Sequence, residues 1–430
     1  MKESSPNASG TDRAGQSPLA ALRHRDFSIY WSGSVLSLVG SQFTTVAMAW
    51  QIYELTNSPL ELGLLGLARG APMLVLLLFG GVLADAVNRR RLLMATQIAQ
   101  MAVSASLAIL TVAGWVSAPI LYAASLFLAL FSSLDQPARN AIIPNLVPRS
   151  DLTNALALSG TQRHVATIVG PSLAGLLLAR SGPTLCYAVD AVSWLVMLVA
   201  LALMRPLAQV AGGRGAVSLR ALGEGVRFVR THPVILSLMA LDFSQNFFGS
   251  GRALLPIYAR DILLVGPQGL GILYAANSAG ALVMAAVMSL QTRIRRAGAW
   301  VLVSVATYGV FTTLFGISHS FWLSFLMLAG AGAANTVSFV LRNTINQLLT
   351  PDEIRGRVTS VNSMFTNTGP QLGQFEAGAL ASAIGAVSAT AVGGLLVTSI
   401  ATGFAAVASI RTFEIHESAQ ARTDQVVARA

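Results

Sequence analysis

The sequence predicts an all-α integral membrane protein, with twelve transmembrane helices arranged as two parallel-repeat halves of six. Three observations carry that expectation: a composition too apolar for water, twelve separated apolar runs, and an internal repeat about 200 residues apart. Of 430 residues, 54% are apolar and 11% charged, and the mean hydropathy is +0.63. A soluble domain carries about a quarter charged residues, so an ordinary soluble enzyme is excluded.

The apolar runs fall at 27–49, 62–84, 92–113, 118–140, 159–179, 184–204, 234–256, 268–290, 299–317, 321–343, 362–383 and 387–409. Each approaches the roughly 20 residues that cross a bilayer as a helix. They are continuous, whereas barrel strands alternate over about ten residues. Residues 1–26 read as a cytoplasmic tail, rich in Ser, Gly, Pro and Asn at its start and without a signal-peptide core. Then come a six-helix half at 27–204, a cytoplasmic linker at 205–233, a second half at 234–410 and a tail at 411–430.

Charge supports this topology. With both termini inside, the basic residues fall on the cytoplasmic side except Arg180 and Arg260 in outer loops and Arg69, Arg139, Arg163, Arg252 and Arg342 within spans. That is the positive-inside bias, and it accounts for a net charge of +10 without nucleic acid. The linker holds Gly212, Gly213 and Gly215 with Arg220, Arg227 and Arg230. Its stretch 219–229 reads either as an amphipathic helix on anionic lipid or as a solvated connection. The lone Cys186 can form no internal disulfide and reads as packing.

The repeat pairs Arg139-Asn140-Ala141-Ile142 after span four with Arg342-Asn343-Thr344-Ile345 after span ten. Gly170-Pro171-Ser172-Leu173 in span five pairs likewise with Gly369-Pro370-Gln371-Leu372 in span eleven. Parallel repeats of this kind place a substrate site near the midplane between the halves.

Three motifs carry a family resemblance. The loop after span two reads Gly81-Val82-Leu83-Ala84-Asp85-Ala86-Val87-Asn88-Arg89-Arg90-Arg91, which resembles the signature Gly-x-Leu-Ala-Asp-Arg-x-Gly-Arg-Arg of the major facilitator superfamily. Gly81, Asp85, Arg89 and Arg90 match; Ala86 and Asn88 depart from it. The resemblance implies a conformational latch at this loop, with orientation charge as the simpler reading of the arginines. Span five carries Gly170, Pro171 and Gly175, similar to the Gly-Pro-x-x-Gly-Gly motif of the superfamily's exporters, although a tight helix crossing explains small residues equally. The segment Asp135 to Pro148, followed by Asp151-Leu152-Thr153-Asn154-Ala155, resembles the branch containing the enterobactin exporter. That resemblance implies secondary export of a small amphipathic molecule, drug-like or siderophore, by alternating access in a bacterial inner membrane, with protons as the coupling ion. An importer or lipid flippase on the same fold stays open, since fold does not fix function.

Intramembrane charge is costly and marks function by default. Asp135 and Arg139 are one turn apart and can pair on span four, either statically or exchanging with Arg342 as a cytoplasmic gate. Asp242 lies roughly 12 Å from the inner end of span seven at 1.5 Å per residue, on a polar stripe with Gln245, Asn246, Gly249 and Arg252; it is the leading proton-coupling candidate. Comparable stripes, Ser34, Ser37, Ser41, Thr45 and Met48 on span one and Asn335, Ser338, Arg342 and Asn346 on span ten, face either the cavity or a polar seam. Arg69, about 10 Å from the outer end of span two, can attract an anionic substrate or snorkel outward. Glu376 shares a face with Gly369 and Gly373, so proton carriage competes there with packing, and Asp190 reads as peripheral.

The five histidines are scattered, and neither His-Glu-x-x-His, Gly-x-Ser-x-Gly nor a Walker loop occurs. The expectation is therefore a non-enzyme without cofactor or metal. Its partners are a small-molecule substrate, protons and membrane lipid, and it acts as a monomer.

Overall fold

A computed structural model describes residues 19–86, 89–205, 219–291, 294–351, 353–406 and 411, with side chains described outside 73–89, 137, 140, 164 and 219–222. Among the described residues the chain is helical, with no strand. The first half holds α1 (Arg25–Thr56), α2 (Pro59–Ala86), α3 (Arg89–Val112), α4 (Ala118–Ile142) and α5 (Leu152–Leu203). After α6 (Leu219–Thr231) come α7 (Pro233–Phe248), the three-residue α8 (Leu255–Ile257), α9 (Gly266–Leu290), α10 (Ala297–Gly316), α11 (Phe321–Leu349), α12 (Arg355–Ile384) and α13 (Ala386–Ala405).

Local chemistry sets the ends. Asn57 adopts the left-handed conformation with φ 49° and its N–H caps the Tyr53 carbonyl, as an αL C-cap requires. The 52 residues of α5 are one helical run only nominally. Gly182, at φ 69°, breaks it before Pro183, so it forms the two limbs that the runs 159–179 and 184–204 predict. A side chain at that φ would be strained.

Eight of the described helices, α1, α3, α4, α5, α9, α10, α11 and α13, are long and apolar enough to cross a membrane. Span seven departs from expectation. Its run 234–256 is not one helix: α7 stops at Phe248, and a 3₁₀ turn (Gly251–Leu254), α8 and a π turn (Tyr258–Ile262) follow.

In the first half α5 packs on α1 and α3, and α4 on α2 and α3; in the second α10 packs on α11 and α13, α9 on α11, and α7 on α12. The halves meet chiefly along α2 against α12 and α5 against α9. Both seams close on glycine. A Cβ on Gly63 of α2 would lie 3.1 Å from the Gly378 Cα of α12, and one on Gly175 of α5 would lie 2.7 Å from the Gly271 Cα of α9. These crossings lie toward the end of the bundle remote from the termini. There one buried cluster joins the halves, running from Ile52, Leu62 and Leu178 to Leu254, Leu270 and Ala381. Toward the termini the cores separate, one around Phe27, Leu93 and Leu201 and another around Leu241, Val301 and Leu341.

Candidate transport site

Among the described residues two sizeable cavities adjoin inside this bundle. One, of about 260 Å³, lies mainly among helices of the first half, with Ser41, Thr45, Arg69, Asp135, Arg139 and Asp190 among its walls and Gln371 of α12 reaching it from the second. The other, of about 230 Å³, lies between the halves, where Thr45 and Arg69 of the first face Gln245, Asn246, Arg252 and Asn335 of the second. Thr45 and Arg69 line both, so the cavities meet at these residues.

The intramembrane charges sort by partner. Arg139 is buried, forms the expected pair with Asp135, and donates from Nη1 to the Ser34 hydroxyl at 2.8 Å. Asp135 also accepts from Thr96 at 3.1 Å and Gln97 at 2.7 Å, which ties α4 to α3. Arg342, the repeat mate of Arg139, pairs elsewhere. Arg342 Nη2 instead meets the Asp242 carboxylate at 2.7 Å, both buried. Asp242 accepts as well from Asn246 at 3.0 Å and Thr366 at 3.0 Å, so it holds α7, α11 and α12 together. The cation that Asp242 meets is thus Arg342 of α11 and not Arg252 of its own stripe.

Arg69 does not snorkel. Its Nε donates to Ser125 at 3.1 Å and its side chain lines both cavities. Arg252 sits on the 3₁₀ turn after α7 and donates to Asn277 Oδ1 of α9 at 3.2 Å. The break preceding it leaves the Gly249 carbonyl outside the α-helical ladder, and Tyr308 donates to that carbonyl at 2.8 Å. Irregular backbone at membrane depth is tolerated where it lines a cavity. Gln245 donates to Asn335 at 2.8 Å across α7 and α11.

Other candidates fall outside the cavities. Ser37 and Met48 are fully buried and line neither, so the span-one stripe does not face water along its whole length; Ser41 and Thr45 do line the cavity, each donating to its own helix backbone. Ser338 is fully buried one turn from Arg342, its hydroxyl unpartnered among the described residues. Glu376 is half-buried with no bond among the described residues, while Gly373 beside it packs against Ser250 and the backbone of Asn246 and Phe247. Gly170 packs on Gln42 of α1 within its own half, and Gly175 on α9 of the other, so the Gly-Pro motif serves two crossings at once. The carbonyl of Pro171 lies against Gly271 at that second crossing.

The side chains of Gly81, Asp85 and Arg89 lie outside the described residues. Arg90 donates to the carbonyls of Leu201 at 2.6 Å and Ala202 at 3.2 Å, at the C-terminal end of α5, where a cation offsets the helix dipole. Sequence reasoning missed Asp190 as a cavity residue: it lines the first cavity and accepts from Thr44 at 2.6 Å and Ser104 at 2.7 Å. It missed Tyr274 and Asn277 too, although two polar side chains three residues apart in an apolar span were a usable signal.

The chain matches the family described as transmembrane secretion effector over residues 16–429. It is 28% identical to the enterobactin exporter EntS of Escherichia coli O1:K1 / APEC over 88% of this chain and 91% of that protein. To EntS of Citrobacter koseri it is 27% identical, over 86% and 89%. Among solved structures it resembles a bacterial homologue of the human lysosomal transporter Spinster in an inward-facing, occupied conformation, with TM-score 0.68, 16% identity and coverage of 93% and 98%. A POT family transporter gives TM-score 0.70 at 12% identity, covering 90% and 97%. Those two likenesses speak for the fold alone. The chain belongs to the transmembrane secretion effector family of the major facilitator superfamily, whose members are multi-pass membrane transporters and not enzymes.

Proposed function

We propose that this chain is a secondary exporter of a small amphipathic molecule, a drug-like compound or a siderophore, driven by exchange for protons. It works by alternating access over twelve spans, as a monomer in a bacterial inner membrane with both termini cytoplasmic. One observation carries the reading: a cavity lined by both halves, beyond which, among the described residues, the halves share a single core at the end remote from the termini. With the termini inside, this is an inward-facing arrangement, and opening the far seams while closing the near end moves the site across the membrane.

Several supports are local. The two limbs of α5 supply spans five and six, and the interrupted run from α7 to the π turn supplies span seven; transporters bind substrate at such discontinuous helices. Far-end closure includes the bond from the Tyr53 hydroxyl to Asp261 and one from Gln374 to the Leu62 carbonyl at 3.4 Å. We assign proton coupling to Asp242, because its protonation would remove the counter-charge of Arg342 and loosen α11 from α7. Glu376 is the second candidate. Asp85, with Gly81, Arg89 and Arg90, is assigned the latch that closes the cytoplasmic end, so Asp85→Asn is expected to reach the membrane normally and transport slowly.

The test is accumulation in inverted membrane vesicles under an imposed proton gradient, across a panel of siderophores and dyes. Gradient-dependent uptake abolished by an uncoupler is expected. Uptake only into right-side-out vesicles would establish the importer, and lipid redistribution without solute uptake the flippase.

A further inference from the structure

The charges that remain once the ion pairs are removed point to the substrate. Asp135 is matched with Arg139 and Asp242 with Arg342, so these four side chains present little net charge to a ligand. Arg69 and Arg252 are different. Each makes one hydrogen bond to a neutral partner, Ser125 at 3.1 Å and Asn277 at 3.2 Å, and neither has an ion pair among the described residues. They project into the same central cavity from opposite halves, and among the described residues lining it there is no aspartate or glutamate.

Asp190 does not repair the imbalance. It lines the neighbouring cavity, where Thr44 and Ser104 hydroxyls occupy its Oδ2, and it forms no ion pair among the described residues. Two guanidinium groups in a low-dielectric wall, with terminal N–H groups left over, are stabilised by water or by an anion, and an anion is favoured by the field of both. Arginine also offers the planar fork that binds carboxylate, sulfonate or phosphate through two parallel bonds.

Resting on the exporter reading above, we infer that the central cavity is an organic-anion site, in which Arg69 and Arg252 hold the substrate's negative group between them. The substrate is therefore an amphipathic anion. Its body lies against Leu65, Tyr274 and Tyr308, and the cavities of about 230 and 260 Å³ that meet at Arg69 together reach the size range of sites for drug-sized ligands, about 300–1,000 Å³. Arg69 belongs to α2 and Arg252 to the turn after α7, so an anion bound to both bridges the two halves. Occupancy is thereby sensed by the elements that move in transport. The geometry also separates substrate recognition from proton exchange at Asp242, since the substrate's charge and the coupling carboxylate occupy different places.

The test uses two dyes on one xanthene skeleton, anionic fluorescein and cationic rhodamine 123, with the purified full-length protein in lipid nanodiscs and binding read by fluorescence anisotropy. Wild type should bind fluorescein saturably and at least about tenfold more tightly than rhodamine 123. Arg69→Gln and Arg252→Gln should each weaken fluorescein at least about tenfold, while rhodamine 123 is unchanged or tightens. Should a glutamine variant not fold, as judged by gel filtration and thermal unfolding, Arg69→Lys and Arg252→Lys replace it; they keep the charge, lose the fork and should bind fluorescein a few-fold more weakly. Fluorescein binding no tighter than rhodamine 123, or binding unaffected by either replacement series, overturns the anion site. Loading both dyes into the vesicle assay separates the two readings. Export of rhodamine 123 with fluorescein ignored keeps the exporter and removes the anion site, whereas arginine-dependent fluorescein binding with no export of either dye keeps the site and removes the exporter.

Discussion

The halves carry the same arginine and balance it differently. Arg139 in α4 and Arg342 in α11 are repeat mates, each buried in its own half. In the first half the carboxylate, Asp135, stands one turn away on the same helix, and the bond that crosses to α1 goes to the neutral Ser34. In the second half the carboxylate, Asp242, stands on α7, so the ion pair itself crosses between helices. A pair within one helix survives any rigid movement of that helix. A pair between helices is strained or broken when the helices part. The repeat therefore conserves a cation while giving one half a charge pair within a helix and the other a clasp, and protonation at the clasp removes an ion pair that joins two helices.

The largest effect expected from this comparison is at the clasp. Asp242→Asn leaves Arg342 buried without its counter-charge, a loss of about 3–5 kcal/mol for a buried pair broken from one side. Gradient-driven export should fall at least about tenfold, while dye binding at the cavity is partly kept. The double variant Asp242→Asn/Arg342→Gln should recover much of the lost thermal stability, because it removes both buried charges; a double-mutant cycle on Tm measures the coupling. Simple addition of the two single losses would show that the pair is not a clasp. Drug-induced proton release from the purified protein is the direct readout of coupling, and wild-type release from a folded Asp242→Asn variant would move that role to Glu376 or Asp135.

Replacing the fixed pair should matter less for coupling. Asp135→Asn also leaves a buried cation, so stability falls, but Thr96 and Gln97 can still hold the amide oxygen and the α1 contact through Ser34 persists. Arg139→Ala and Arg342→Ala both should weaken transport, the second more. The measurement is the ratio of transport loss to stability loss. A higher ratio for Asp135→Asn than for Asp242→Asn reverses the assignment of clasp and fixed pair.

This contrast also marks how far the sequence could be read. The Asp135–Arg139 pair was legible because a spacing of four on a helix fixes proximity. The Asp242–Arg342 pair joins residues 100 positions apart, and no local spacing encodes which of two arginines, Arg252 or Arg342, faces the carboxylate. The same limit explains span seven. Its hydropathy runs unbroken through residue 256, whereas Gly249 and Gly251, packed against Tyr308 and Thr390, let the backbone depart from the helix. Hydropathy does not see such a break. The repeat, the family and the Gly-Pro motif were readable, since each is recognised from short stretches of sequence. The two cavities meeting at Arg69 were not, because they are made by helices from both halves.

The seams between halves come next in size. A methyl on Gly175 would stand 2.6 Å from the Pro267 carbonyl and 2.7 Å from the Gly271 Cα, backbone that cannot yield like a side chain. Overpacking costs about 1–3 kcal/mol, and here it falls only on the state in which the seam is closed. Gly175→Ala should therefore shift the protein toward the outward-open form and slow transport several-fold. Gly160→Ala on the same helix, where a Cβ meets nothing within 4 Å, should not. Equal slowing by both would attribute the effect to helix propensity instead of the crossing.

The smallest effect expected is at the polar bond over the far end. The Tyr53 hydroxyl donates to Asp261, Arg260 donates to the Tyr53 carbonyl at 3.4 Å, and the guanidinium carbon lies 5.6 Å from the Tyr53 ring centroid. Tyr53→Phe removes the first contact and keeps the other two. Asp261 is partly exposed and regains water, so the net loss is about 1 kcal/mol, equivalent to roughly a five-fold change in the balance between closed and open far ends. Cys186 is fully buried, so Thr45→Cys at the wall shared by the cavities gives a reporter with low background. A membrane-impermeant thiol reagent added from the far side should label that cysteine a few-fold faster when Tyr53→Phe is present. The same reagent added from the side of the termini should label it a little more slowly, because the two accessibilities belong to one equilibrium. Faster labelling from both sides would mean general loosening of the bundle, and the Tyr53 contact would then be part of the core and not a closure of the cavity.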